Sequence, residues 1–123
     1  MMSCIFCNRK ELDIKLESNL AFAIFDKYPV NEGHMLIITK RHFSNFFNIT
    51  PEEMAEVQNL IIKAKEKLDS LHNPDGYNIG INVCEDAGQT IMHLHIHLIP
   101  RYKGDIDNPR GGIRNLMPNL VEY

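Results

Sequence analysis

Ile91-Met92-His93-Leu94-His95-Ile96-His97-Leu98-Ile99 alternates three imidazoles with aliphatic residues, and a period of two is the signature of an extended strand. Successive side chains of a strand point to opposite faces, so His93, His95 and His97 share one face and Leu94, Ile96 and Leu98 the other. The aliphatic face needs a covering layer; the imidazole face is left for chemistry. A rise of about 3.3 Å per residue puts His93 roughly 13 Å from His97 along the strand. Zinc binds imidazole nitrogen at about 2.0–2.1 Å, so one ion cannot hold all three parallel side chains. The row therefore predicts divided roles, with some histidines structural or metal-binding and at least one free for catalysis.

Upstream, Leu20 to Phe25 and Met35 to Thr39 are apolar runs separated by Asp26-Lys27-Tyr28-Pro29-Val30-Asn31-Glu32-Gly33-His34, a segment rich in turn formers. They read as two antiparallel strands. Thr50-Pro51-Glu52-Glu53 reads as a helix start, with Thr50 the cap, Pro51 the first helical residue and Glu53 closing a capping box. Met54, Val57, Leu60, Ile61, Ala64, Leu68 and Leu71 then recur at spacings of three and four, which predicts one buried helical face from Pro51 to Leu71. Asn73-Pro74-Asp75-Gly76 ends the helix, Tyr77 to Val83 alternates as a strand, and Glu85 to Gln89 forms a loop into the histidine run. The expected fold is α+β, an antiparallel sheet meander with one long helix on a face, in a single domain over residues 1–123.

Thirteen basic against sixteen acidic residues give a formal net charge of −3, which argues against a broad surface for nucleic acid or anionic membrane. No stretch approaches the roughly 18 apolar residues of a membrane span, and the expectation is a soluble, cytoplasmic protein. Three cysteines are an odd count. Cys4-x-x-Cys7 reads as a metal half-site or redox pair, and Cys84 as a small apolar residue on a buried strand face.

Gly88-Gln89-Thr90-x-x-His93-x-His95-x-His97-Leu98-Ile99-Pro100-Arg101 resembles the signature of the histidine triad family of nucleotide hydrolases and transferases. Cys4-Ile5-Phe6-Cys7, Phe25-Asp26-x-x-Pro29-x-x-x-Gly33-His34, Lys40-Arg41-His42 and Gly80-x-Asn82 extend the resemblance over nearly the whole chain. The resemblance implies a homodimer with a continuous sheet. It implies a reaction in which His95 attacks the α-phosphorus of a nucleotide to form a nucleotidyl-histidine that water hydrolyses. His97 would stabilise charge on the phosphate, Thr90 would hydrogen-bond it or the leaving group, and Gln89 and Asn82 would add neutral donors. Asp26 would grip the ribose, and Ile24 and Phe6 would wall the base.

A subset of bacterial relatives binds structural zinc, and Cys4, Cys7, His42 and His93 match those ligands. Two thiolates and two imidazoles form a closed tetrahedral set. The loop Asn108-Pro109-Arg110-Gly111-Gly112-Ile113-Arg114 resembles that of dinucleoside polyphosphate hydrolases, with Arg110 and Arg114 candidates for the distal phosphates. The expected substrate is a diadenosine polyphosphate or related adenine nucleotide. The alternatives are a phosphoramidase, a nucleotidylyltransferase and a non-enzymatic nucleotide-binding scaffold.

Overall fold

A computed structural model describes residues 4–117. The strands are β1 (Leu16–Glu17), β2 (Ala21–Phe25), β3 (Met35–Thr39), β4 (Gly76–Gly80) and β5 (His95–Arg101), and the helix is α1 (Pro51–His72). They form one antiparallel sheet in the order β1-β2-β3-β5-β4, with α1 packed over β1, β2 and β3. This is the expected α+β fold. The order refines the meander in one respect: α1 carries the chain past β3 to the sheet edge, and β5 returns into the gap between β3 and β4. Among the described residues no helix is long and apolar enough to cross a membrane.

Alternation sorts the sheet into two faces. Ala21, Ala23, Met35, Ile37, Ile96 and Leu98 meet Val57, Leu60, Ala64 and Leu68 of α1 in the larger core. Phe22, Ile24, Leu36 and Ile38 point the other way, where Phe6 covers them. Burying each such side chain contributes about 1.5–3 kcal/mol. Met54 and Leu71, expected on the buried helical face, are exposed instead: Met54 lies to the side of the stripe of Glu53, Val57, Leu60, Ala64 and Leu68, and Leu71 is in the last turn.

The capping box forms as expected, with Glu53 N–H donating to Thr50 Oγ1 and Thr50 N–H to Glu53 Oε1. Glu53 is buried, and it also accepts two bonds from Arg41, whose guanidinium lies 3.9 Å over the Phe43 ring. The helix start thereby fixes the residue beside His42. At the other end of β3, Gly33 has φ +88°, and a Cβ there would meet Leu68, His72 and Pro100 at 3.0–3.2 Å. Only glycine lets this turn close against the helix.

Two expectations change at the site end of the sheet. The ladder of β5 begins at His95, so His93 precedes the strand, and β4 ends at Gly80 rather than Val83. Cys84 is exposed in the intervening loop, not buried on a strand. Its backbone, φ 74° and ψ 163°, lies in a region that only glycine enters freely. Strain of this kind costs about 1–3 kcal/mol, against roughly 0.5–1 kcal/mol of extra unfolded-chain entropy for a glycine. Cys84→Gly is therefore expected to raise stability by about 1 kcal/mol in denaturant unfolding; an unchanged or lower midpoint would show that the backbone there is unstrained.

Candidate functional site

β5 carries His95 and His97 on the face that Phe6 covers, and its register sets Ile38 beside His95 and both Leu36 and Gly80 beside His97. A neutral imidazole has one N–H and one lone pair, so the partner of one nitrogen determines the role of the other. His95 Nδ1 lies 2.8 Å from the carbonyl of His93. A carbonyl only accepts, so Nδ1 carries the proton and Nε2 the lone pair. The His95 ring sits between Phe6 and His97, with centroids 5.2 Å from each.

His97 is ordered from the side. Val30 N–H donates to His34 Nδ1 at 3.0 Å, which leaves the His34 proton on Nε2, 2.9 Å from His97 Nδ1. His97 Nδ1 therefore accepts, and its Nε2 bears hydrogen. Asp26 Oδ2, 3.4 Å from His34 Nε2, shares that proton. Asp26, His34 and His97 are close enough together to suggest a metal group, but the protonated Nε2 of His34 makes them a hydrogen-bonded relay instead. Burial, followed by the neighbouring His95 and His34, lowers the His97 pKa to about 4, and burial likewise lowers that of His34.

From the sequence His34 carries no role beyond its place in the Phe25–His34 stretch. Alternation from Leu36 and Ile38 places it on the triad face, a signal usable only once β3 is known to pair with β5.

Two clefts meet at Asp26. One, about 530 Å³, is lined by Ile5, Phe6, Leu12, Ile24 and Ile91. The other, about 450 Å³, contains His34, His97, Asn82 and Asn78, with Gly112 and Ile113 on its far wall. Phe6, Ile24, Asp26, Asn82 and His97 are thus gathered as expected. Arg110 and Arg114 do not line this second cleft, although residues between them do. Arg101 does line it, and Asp105 binds its guanidinium at 2.8 and 2.9 Å.

The expectation that Gln89 donates to a nucleotide is corrected: its amide hydrogens go to the Ser44 and Ile91 carbonyls, and its oxygen accepts from Cys84 N–H. Buried Gln89 shapes the loop that presents exposed Thr90.

Cys4, Cys7, His42 and His93 converge below His95, their ligand atoms all within 4.8 Å of one another. His93 Nδ1 lies 3.4 Å from Cys4 Sγ, 3.6 Å from Cys7 Sγ and 3.1 Å from His42 Nδ1, and Cys7 Sγ lies 3.3 Å from His42 Nδ1. A tetrahedral ion with Zn–S of about 2.3 Å and Zn–N of about 2.05 Å has edges of roughly 3.3–3.8 Å, so the four atoms fit zinc with small adjustment. His93 Nε2, 2.6 Å from the Thr39 carbonyl, carries the proton that frees Nδ1 toward the cluster.

Comparison with known proteins agrees with this geometry. The HIT domain family model matches residues 9–104. An AP-4-A phosphorylase of Mycobacterium tuberculosis is 34% identical over 87 residues, covering 70% of this chain and 45% of that protein. A bis(5'-nucleosyl)-tetraphosphatase [asymmetrical] of Schizosaccharomyces pombe is 33% identical over 88 residues, covering 72% of this chain and 48% of that protein. The chain thus spans about half the length of these two relatives. A crystal structure of a zinc-bound histidine triad family protein from Mycobacterium smegmatis superposes with a TM-score of 0.75 at 33% identity, covering 85% of this chain and 78% of that one.

The depressed His97 pKa sets a pH dependence. Between the ordinary value of 6.5 and about 4 the unfolded chain binds a proton at this residue that the folded chain does not. Stability is therefore expected to fall as pH drops below about 6.5, ahead of the carboxylates, which titrate nearer 4. Denaturant midpoints at pH 7.0 and 5.0 test this: His97→Gln should flatten the decline, and an unaltered slope in that variant would assign it elsewhere.

Proposed function

The chain belongs to the HIT domain family, and from that premise we propose that it is a nucleotide hydrolase cleaving at the α-phosphate through a covalent intermediate on His95. The observation that carries the reading is the bond from His95 Nδ1–H to the His93 carbonyl, which keeps the Nε2 lone pair available as nucleophile. Nε2 forms a bond to the α-phosphorus as the bond to the leaving group breaks, and the leaving group takes the electron pair and then a proton. Water attacks the phosphorus of the nucleotidyl-histidine, the P–N bond breaks, and a nucleoside monophosphate leaves. Two displacements replace one more difficult one.

His97 Nε2–H and the Asn82 amide donate to the non-bridging oxygens, where charge develops, and exposed Thr90 serves the phosphate or the leaving group. Losing one such donor commonly costs a hundredfold or more in rate. Asp26 accepts from the ribose hydroxyls at the junction of the two clefts, and the base lies between Phe6 and Ile24. His34 positions His97 by holding its tautomer. The names of the two nucleotide-metabolising relatives support a dinucleoside polyphosphate as substrate. The word phosphorylase favours a second reading, in which phosphate rather than water accepts the nucleotidyl group; excess phosphate changing the product from a nucleoside monophosphate to a diphosphate would select it.

Zinc fits Cys4, Cys7, His42 and His93, and it would supply a closed structural tie between the N-terminal segment and the sheet. A second copy would join at the edge strand β4, extending the sheet beside the half-exposed Ile79.

The central test is product analysis with diadenosine tetraphosphate and adenosine phosphoramidate side by side. Wild type is expected to release AMP, with the tetraphosphate the better substrate, and His95→Ala to lose at least about a thousandfold in rate. Binding without cleavage of either would remove the hydrolase reading. For the metal, one zinc per chain is expected to survive exhaustive dialysis. Cys7→Ser should lose it and melt about 5 °C or more lower; a metal-free wild type that stays folded and active would sink the zinc assignment.

A further inference from the structure

The geometry points to a second role for the Cys4–Cys7 clasp: through Phe6 it holds one wall of the base cleft and one side of the His95 ring, so that metal and nucleotide bind cooperatively. This rests on the nucleotide reading given above, and it concerns how that site is kept in shape.

The clasp is a single turn closed by a bond from Cys7 N–H to the Cys4 carbonyl at 3.2 Å. The two residues inside it, Ile5 and Phe6, both line the base cleft. Phe6 is 2% exposed, and its edge meets the rings of His93 at 5.9 Å and of His95 at 5.2 Å. One aromatic side chain therefore touches a cluster residue, the nucleophile and the cleft.

The opposite wall is tied to the same cluster. Ile91 lines the cleft two residues before His93, and Ile91 and Cys4 both pack on the apolar group of Phe6, Phe22, Ile24, Leu36 and Ile38. An ion bridging Cys4 and Cys7 to His93 cross-links two segments that each contribute a wall. A base seated in the cleft packs on Ile5 and Phe6 of the clasp and on Ile24 and Ile91 at once, and so favours the arrangement in which sulfurs and imidazoles converge. Each ligand thus orders chain that the other requires, and linkage makes the coupling reciprocal.

The test follows zinc release from loaded, folded protein into an excess of a chromogenic chelator, with and without saturating AMP, alongside calorimetric AMP binding to the same protein. In wild type AMP is expected to slow release about tenfold, within the usual range of such couplings. Phe6→Ala should release zinc faster and show an AMP effect below about twofold, and Phe6→Leu, which preserves apolar volume and guards against a folding failure, should fall between. If AMP binds wild type yet leaves release unchanged, or slows it equally in Phe6→Ala, the coupling is overturned while the nucleotide reading stands. If AMP does not bind the zinc-loaded protein at all, both fall.

Discussion

The site depends on a rule of imidazole chemistry: a neutral ring that donates through one nitrogen must accept through the other. His93 donates to the Thr39 carbonyl and turns a lone pair to the thiols; His95 donates to the His93 carbonyl and keeps a lone pair on its outer nitrogen. His97 accepts from His34 and keeps a hydrogen there. Two histidines on the β5 face and one just before it are thus made chemically distinct by their partners alone: His93 offers a lone pair to the thiols, His95 a lone pair outward and His97 an N–H outward. Two of those partners are backbone carbonyls, which cannot change protonation, so the assignments of His93 and His95 are as durable as the sheet that supplies them.

Support for the sheet reaches the cluster through a traceable chain. The cap of α1 buries Glu53, Glu53 holds Arg41 at 2.8 and 3.0 Å, and Arg41 fixes the backbone from which His42 reaches Cys7. Glu53 keeps its charge there because the Arg41 guanidinium and the Thr50 N–H lower its pKa. Removing Arg41 would leave a buried carboxylate with only its bond from Thr50 N–H to offset desolvation. The helix cap at Thr50 and the cluster residue His42, eight positions before it, therefore share one structural element.

Local rules made much of this legible. The period of two assigned β5 its faces, the capping box located the start of α1, and Cys4-x-x-Cys7 read as a metal half-site, to which only the family resemblance added His42 and His93. What escaped depends on pairing between distant segments. His34 becomes significant only when β3 lies beside β5, and the Gln89 amide donates to Ser44, forty-five residues away, as well as to nearby Ile91. Cys84 followed a composition argument, small thiols being commonly buried, whereas the loop closing onto Gln89 demands a left-handed backbone irrespective of side chain. Such errors arise where tertiary closure overrides local preference.

For the proposed reaction, the electrostatics of the cleft that holds His97 bear on turnover. The arginine among its described lining residues is already paired with Asp105, and His97, with a pKa near 4, is neutral at physiological pH. An anionic phosphate there meets oriented N–H dipoles rather than a bare cation. Dipoles attract a dianionic product less strongly than a fixed positive charge would, yet they gain as charge concentrates on the non-bridging oxygens during displacement. Interaction energy is then directed to the transition state rather than to retention of the monophosphate, a requirement for an enzyme that releases a product more compact and more highly charged at phosphorus than the group it received. In the proposed reaction burial of His97 would thus serve turnover: a solvated, protonated imidazole would hold the phosphate more tightly and release it more slowly.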